Sequence, residues 1–200
     1  AMARAAYAAG AIVVLADRAP LESLAQELGG AEFFQFDQAD LASIEQLASA
    51  AGHIDVLLNN AGILEVGPLL EMEPDIIQRV IQTNLIGPVC LARAIAALMI
   101  QQSGGVIVNT ASQLAFDGSA TRAVYASAKA GLVQFTKSAA VEWAPLGVRV
   151  VALAPGRTLT PINAALLASP EDRAEGLKKI PAGRYGNACL LYTSDAADEK

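Results

Sequence analysis

The chain has 200 residues, 54% of them hydrophobic and 17% charged. Typical soluble domains carry roughly 25% charged residues, so this composition supplies core material for one ordinary domain and excludes wholesale disorder. A net charge of -6 argues against a nucleic-acid partner. Two Cys and one His exclude a disulfide framework and a His/Cys metal site, so no metal is expected. The stretch Leu85–Ile100 comes nearest to a membrane span but is interrupted by Gly87, Pro88 and Arg93. No basic segment followed by an apolar one opens the chain. These totals lead us to expect a soluble cytoplasmic α/β protein without a membrane partner.

In chain order, short β-branched runs alternate with Ala- and Leu-rich segments. Strands are predicted at Ile12–Leu15, Phe33–Phe36, Ile54–Asn59, Val106–Asn109 and Val148–Leu153. Each is a nearly continuous apolar run, as suits a strand covered on both faces of a parallel sheet. Helices are predicted at Leu21–Leu28, Leu41–Ala51, Pro74–Met99 and Ala123–Trp143. The acidic group around Pro74 reads as a helix start. A break or kink is predicted at Gly87-Pro88, because proline disfavours a helical residue before it, leaving Val89–Gln101 as a separate stretch. Strand–helix repetition of this kind predicts a doubly wound sheet with right-handed crossovers. His53 reads as a turn or surface residue, and Cys90 and Trp143 as packing.

Polar and glycine signatures cluster where such sheets bind ligands, after the strands' carboxyl ends. They are Asn59-Asn60-Ala61-Gly62, Thr110-Ala111-Ser112 and Pro155-Gly156. Asn84 interrupts a helical segment for which its propensity is poor. In Tyr125-Ala126-Ser127-Ala128-Lys129 the phenol and the ammonium share one helix face. A neighbouring cation stabilises phenolate and should lower the Tyr125 pKa, making it an acid/base group near neutrality. The same spacing arises in ordinary amphipathic helices, so the pair alone decides nothing.

Taken jointly, Asn59-Asn60-Ala61-Gly62, Asn84, Ser112, Tyr125 with Lys129, and Pro155-Gly156 followed by Thr160 resemble the short-chain dehydrogenase/reductase family. The resemblance implies a doubly wound Rossmann-type parallel sheet and an NAD(P)-dependent oxidoreductase that interconverts a secondary alcohol and a ketone. By the same resemblance Tyr125 is the general acid/base and Ser112 orients the substrate oxygen. Lys129 then holds the nicotinamide ribose and depresses the Tyr125 pKa, and Asn84 anchors a water in the proton relay. Cofactor contacts are implied for Asp17, Asp37, Asn60, Ala61, Gly62, Tyr125, Lys129, Pro155, Gly156, Thr158 and Thr160. Asp17 at a strand end suits the ribose hydroxyls and repels a 2′-phosphate, favouring NAD. Arg18 beside it can support a phosphate, so NADP is the less favoured choice. Asp37 resembles an adenine-contacting carboxylate; a helix N-terminal acid is the alternative. Ser112 as a plain cap and Asn84 as a kink residue are the alternatives for those two. The partner is then a small alcohol or ketone, and the family commonly forms tetramers through Val89–Gln101 and Ala123–Trp143. Two other readings stay open: a non-catalytic dinucleotide-binding or regulatory protein, and an NADP-linked carbonyl reductase.

The sequence also departs from the family. No Gly-rich phosphate loop of the family type occurs among its 16 Gly. Such a loop lies about 20 residues before the acidic ribose residue, which from Asp17 falls before Ala1. Ala1–Gly10 then reads as the end of the helix that follows the loop. In the family's sheet order, 3-2-1-4-5-6-7, the strand carrying that loop lies between those at Ile12–Leu15 and Ile54–Asn59. Without it, two unpaired edges are expected in mid-sheet, with poor folding and poor NAD binding for the chain as written. The last strand is likewise missing from the pattern. We therefore expect residues 1–187 to be a partial Rossmann domain and 188–200 to be a non-native tail. Within it, Cys189–Glu199 resembles a translated sequencing adapter.

Overall fold

A computed structural model describes residues 1–188. The chain divides into two compact units, one of residues 1–15, 21–33 and 155 onward, the other of residues 16–20 and 34–154. The tail assigned above to Cys189–Glu199 lies outside the described residues.

Helices α1 (Met2–Ala8) and α2 (Glu22–Glu27) flank strand β1 (Val14–Asp17), and β2 (Glu32–Gln35) follows. Leu15, Ala25 and Leu28 form a small core in the first unit, supported by Ala3, Val13, Leu21, Leu24 and Ala31. Strand β1 starts two residues later than its apolar run suggests. Ile12 is 98% exposed, so its hydrophobicity reports no burial. In the same unit lie β6 (Thr158–Leu159), α7 (Pro170–Leu177) and β7 (Gly186–Asn187), with β6 and β7 pairing in parallel.

The second unit carries α3 (Leu41–Ala50), β3 (Val56–Asn59), α4 (Pro74–Ile81), α5 (Gly87–Gln101), β4 (Gly105–Thr110), α6 (Ala123–Trp143) and β5 (Val148–Leu153). Strands β3, β4 and β5 form one parallel sheet in that order, with Leu57 opposite Ile107 and Ile107 opposite Val150. Parallel neighbours demand crossover helices, and α5 and α6 provide them. Ile107 and Val150 join Ile44, Leu91, Ile95, Met99 and Ala139 in the main core. Their sheet neighbours Val56, Leu58 and Val151, which point to the other face, are 53%, 39% and 48% exposed. Strand β3 ladders only with β4, and β1 only with β2, among the described residues. Each of these two strands thus has one edge without a ladder partner among the described residues.

The predicted break at Gly87-Pro88 is corrected. Residues 74–101 form one continuous helical run, because the irregularity is absorbed earlier, in a π turn at Gln82–Ile86. There the Gly87 N–H reaches back to the Gln82 carbonyl. Pro88, which lacks an N–H, sits at the start of α5, where it is tolerated. The run is long and apolar enough to cross a membrane by length and composition. Its Leu91, Ala92, Ile95, Ala96 and Met99, however, are buried in the protein core.

Candidate active site

Helix α6 and the end of β4 build the site. Tyr125 and Lys129 stand one turn apart on α6. Lys129 is 4% exposed, and its Nζ donates to the Thr110 carbonyl at 2.6 Å, 5.8 Å from the centre of the Tyr125 ring. Burial pushes the Lys129 ammonium down to about 8. Burial also pushes the Tyr125 phenol up, and the facing Ser112 hydroxyl offsets part of that rise. The expected lowering of the Tyr125 pKa by Lys129 is therefore corrected: desolvation dominates here, and the ammonium is directed at Thr110. Ser112 lies just beyond β4, and its Oγ accepts the Leu114 N–H at 3.2 Å. It thus caps a short turn as well as facing the phenol.

Asn84 sits in the π turn, fully buried. Its Nδ2 donates to the carbonyls of Ile63 (2.9 Å) and Val80 (3.0 Å), and its Oδ1 accepts the Ile63 N–H at 3.1 Å. Both amide protons are thus committed to structure. Gly62 must be glycine for space: a Cβ there would lie 2.6 Å from Asn84 Oδ1 and 3.7 Å from Lys129 Nζ. Asn60, Ala61 and Gly62 form the turn after β3, with Asn60 exposed. The structure therefore gathers Asn84, Ser112, Tyr125, Lys129 and Gly62 around one corner of the second unit.

Asp17 ends β1 and Asp37 follows β2; both residues belong to the second unit, although its boundary crosses both strands. Asp17 Oδ1 accepts the Ala19 N–H at 2.9 Å, and the Phe36 N–H donates to the Asp17 carbonyl. Arg18 approaches Asp37 at 3.6 Å with both side chains well exposed. A shallow cavity of about 290 Å³ is lined by Arg18, Gln35, Phe36, Asp37 and Ser43. The cap of α3 is Asp40, which accepts the Ala42 N–H, so Asp37 is not the helix N-terminal acid. Pro155, Gly156, Thr158 and Thr160 lie in the other unit. There Thr158 Oγ1 donates to the Gly156 carbonyl at 3.3 Å, and Thr160 caps a short helix together with Asn163.

The sequence assigned no role to two further buried polar residues, Asn109 and Gln38. Asn109 Nδ2 donates to Thr136 Oγ1 at 2.9 Å, and Asn109 Oδ1 accepts from Asn59 Nδ2 at 3.1 Å. Asn59 Oδ1 is buried with no partner among the described residues. Gln38, 4% exposed, donates from Nε2 to the carbonyls of Ala61 and Thr83. A polar residue inside an apolar run was the available signal for Asn109; Gln38 gave none.

The sequence profile described as short chain dehydrogenase matches residues 1–171. The chain belongs to the short-chain dehydrogenase family. It is 35% identical over 185 residues to the L-xylulose reductase of Bos taurus, covering 91% of this chain and 76% of that protein. It is 39% identical over 153 residues to the 3-oxoacyl-[acyl-carrier-protein] reductase FabG of Salmonella typhimurium, covering 76% of this chain and 62% of that one. A gluconate 5-dehydrogenase from Burkholderia cenocepacia, solved with NADP and tartrate, superposes with a TM-score of 0.88 at 33% identity, covering 96% of this chain and 79% of its own. The 3-ketoacyl-(acyl-carrier-protein) reductase of Brucella melitensis with NADH gives 0.89 at 29% identity, covering 98% and 83%. The doubly wound, Rossmann-type parallel architecture is that of an oxidoreductase family using a nicotinamide dinucleotide.

Proposed function

We propose that the site interconverts a secondary alcohol and a ketone, with Tyr125 as the general acid/base. The observation that carries the reading is the convergence of Tyr125, Ser112 and a buried, charge-bearing Lys129, with Asn84 locked in the adjoining π turn. A buried lysine without a carboxylate partner among the described residues is costly to maintain, which suits a group kept to hold a ligand. When bound, the dinucleotide supplies the hydride. Lys129 and the Gly62 turn are the groups that would hold its ribose; Asp17 and Asp37 suit the adenosine end. Tyr125, pushed up by burial, keeps its proton through the neutral range and can deliver it to a carbonyl oxygen. Ser112 orients that oxygen. The committed Asn84 amide protons leave any water contact to its backbone carbonyl, to which Pro88 has no N–H to offer.

NAD is our choice over NADP on the strength of Asp17. The substrate is a small hydroxy or oxo compound of the kinds named in L-xylulose reductase and D-threitol dehydrogenase. The exposed Ile100 and Val141 support a homo-oligomer through α5 and α6, and a cytoplasmic setting is in keeping with the net charge of -6.

The test is NADH oxidation with a sugar and 3-oxoacyl panel, run at millimolar NADH so that weak cofactor binding is met by mass action. Turnover should fall by about 10²–10⁴-fold in Tyr125→Phe. Equal turnover in the variant overturns the assignment.

A further inference from the structure

We infer that Gln38 is a positioning residue that locks the π turn carrying Asn84 onto the turn after β3. The inference rests on the proposed role of that corner.

Widening a helix to a π turn redirects one N–H and strands a carbonyl. Here the Gly87 N–H goes to the Gln82 carbonyl rather than to that of Thr83, its ordinary partner one turn back. The Thr83 carbonyl is taken instead by Gln38 Nε2, at 2.8 Å. The second proton of the same amide goes to the Ala61 carbonyl at 3.0 Å. One buried side chain thus ties together two segments that lie 23 and 45 residues away in sequence.

Asn84 makes the matching connection from the other side, holding Ile63 by both N–H and C=O. The two amides therefore clamp residues 61–63 between them. Close packing enforces the register. A Cβ on Gly87 would collide with the Gln38 carbonyl, and one on Gly62 with Asn84 Oδ1. Gly62 also borders the Lys129 ammonium, so the position of this turn sets how much water reaches Lys129. Gln38 touches neither Tyr125 nor Lys129 in any hydrogen bond; it acts through the turn.

The test uses the whole chain and needs no turnover, so it is separable from the Tyr125→Phe experiment. Gln38→Met keeps the volume and removes both donors; Gln38→Glu, held neutral by burial, restores one. The readout is the titration midpoint of Lys129, followed by pH-dependent acylation of its amine or by NMR of its side chain. In the unsubstituted chain we expect a midpoint near 8. In Gln38→Met it should rise by about one unit as water enters, with Gln38→Glu in between and the far-ultraviolet circular dichroism unchanged. A midpoint unmoved in a folded Gln38→Met overturns the inference. Should that variant fail to fold, the unsubstituted chain still decides. Both Gln38 side-chain amide protons should exchange with solvent at least about 100-fold more slowly than in a peptide. Exchange at the peptide rate overturns the inference equally.

Discussion

The two ends of the proposed cofactor track are built differently. At the α6 corner three polar side chains are buried and have assigned partners: Lys129 on Thr110, Asn84 on Ile63 and Val80, Gln38 on Ala61 and Thr83. At the β1–β2 end, Arg18 and Asp37 meet at 3.6 Å with their side chains 70% and 41% exposed, and Asp17 is spent partly on its own turn. The first arrangement fixes groups in place before any ligand arrives, as acid/base chemistry demands. The second leaves its charges adjustable and weakly coupled through water. The groups proposed for the chemistry are held in place before any ligand arrives; those proposed for cofactor selection are not.

Three experiments would break or sharpen that contrast. The largest effect should come from Lys129→Met. An ordinary lysine titrates at 10.5 and Lys129 at about 8, so between those values the unfolded chain binds a proton that the folded chain does not. Stability of the unsubstituted chain should therefore rise with pH from about 8 to 10.5, by up to about 3 kcal/mol. Below pH 8 both states are charged and the burial penalty is fully present. Urea melts across this range should show that rise, and Lys129→Met should lack it; parallel pH profiles would mean that the ammonium is well solvated.

Asn109→Ala comes next. It removes the acceptor for Asn59 and the donor to Thr136 deep beneath the site, which should cost about 1–3 kcal/mol in the same melts. A change within error would show that the chain of amides is dispensable. Smallest is Asp37→Asn, which frees Arg18. Stability should shift by less than about 1 kcal/mol, while binding of 2′-AMP should strengthen relative to 5′-AMP. An unchanged ratio would remove Arg18 from cofactor selection.

Much of this was legible in the sequence, for reasons particular residues make plain. Val148–Leu153 is apolar at every core-facing position, so its bounds matched the structure. Tyr125 and Lys129 need only helical geometry to share a face, and Ser112 needs only a strand end. What failed depended on surroundings that the residue type alone does not report. Pro88 reads as a helix breaker locally, yet the π turn before it removes the conflict. The direction of the Tyr125 shift required knowing how deeply α6 is covered. Gln38 carries no local signal, because its role depends on carbonyls at Ala61 and Thr83 that only folding brings within reach.

The proposal at the centre is that Tyr125 delivers a proton to a substrate carbonyl oxygen, with a nicotinamide dinucleotide, when bound, as the source of hydride for its carbon. It is tested most directly with NADH deuterated at the transferable position and a ketone substrate, measuring deuterium at the carbinol carbon of the product. Deuterium is expected there for the unsubstituted chain, and at least about 100-fold less for Tyr125→Phe under the same conditions. Equal incorporation by both chains, or a carbinol product free of deuterium, would contradict it.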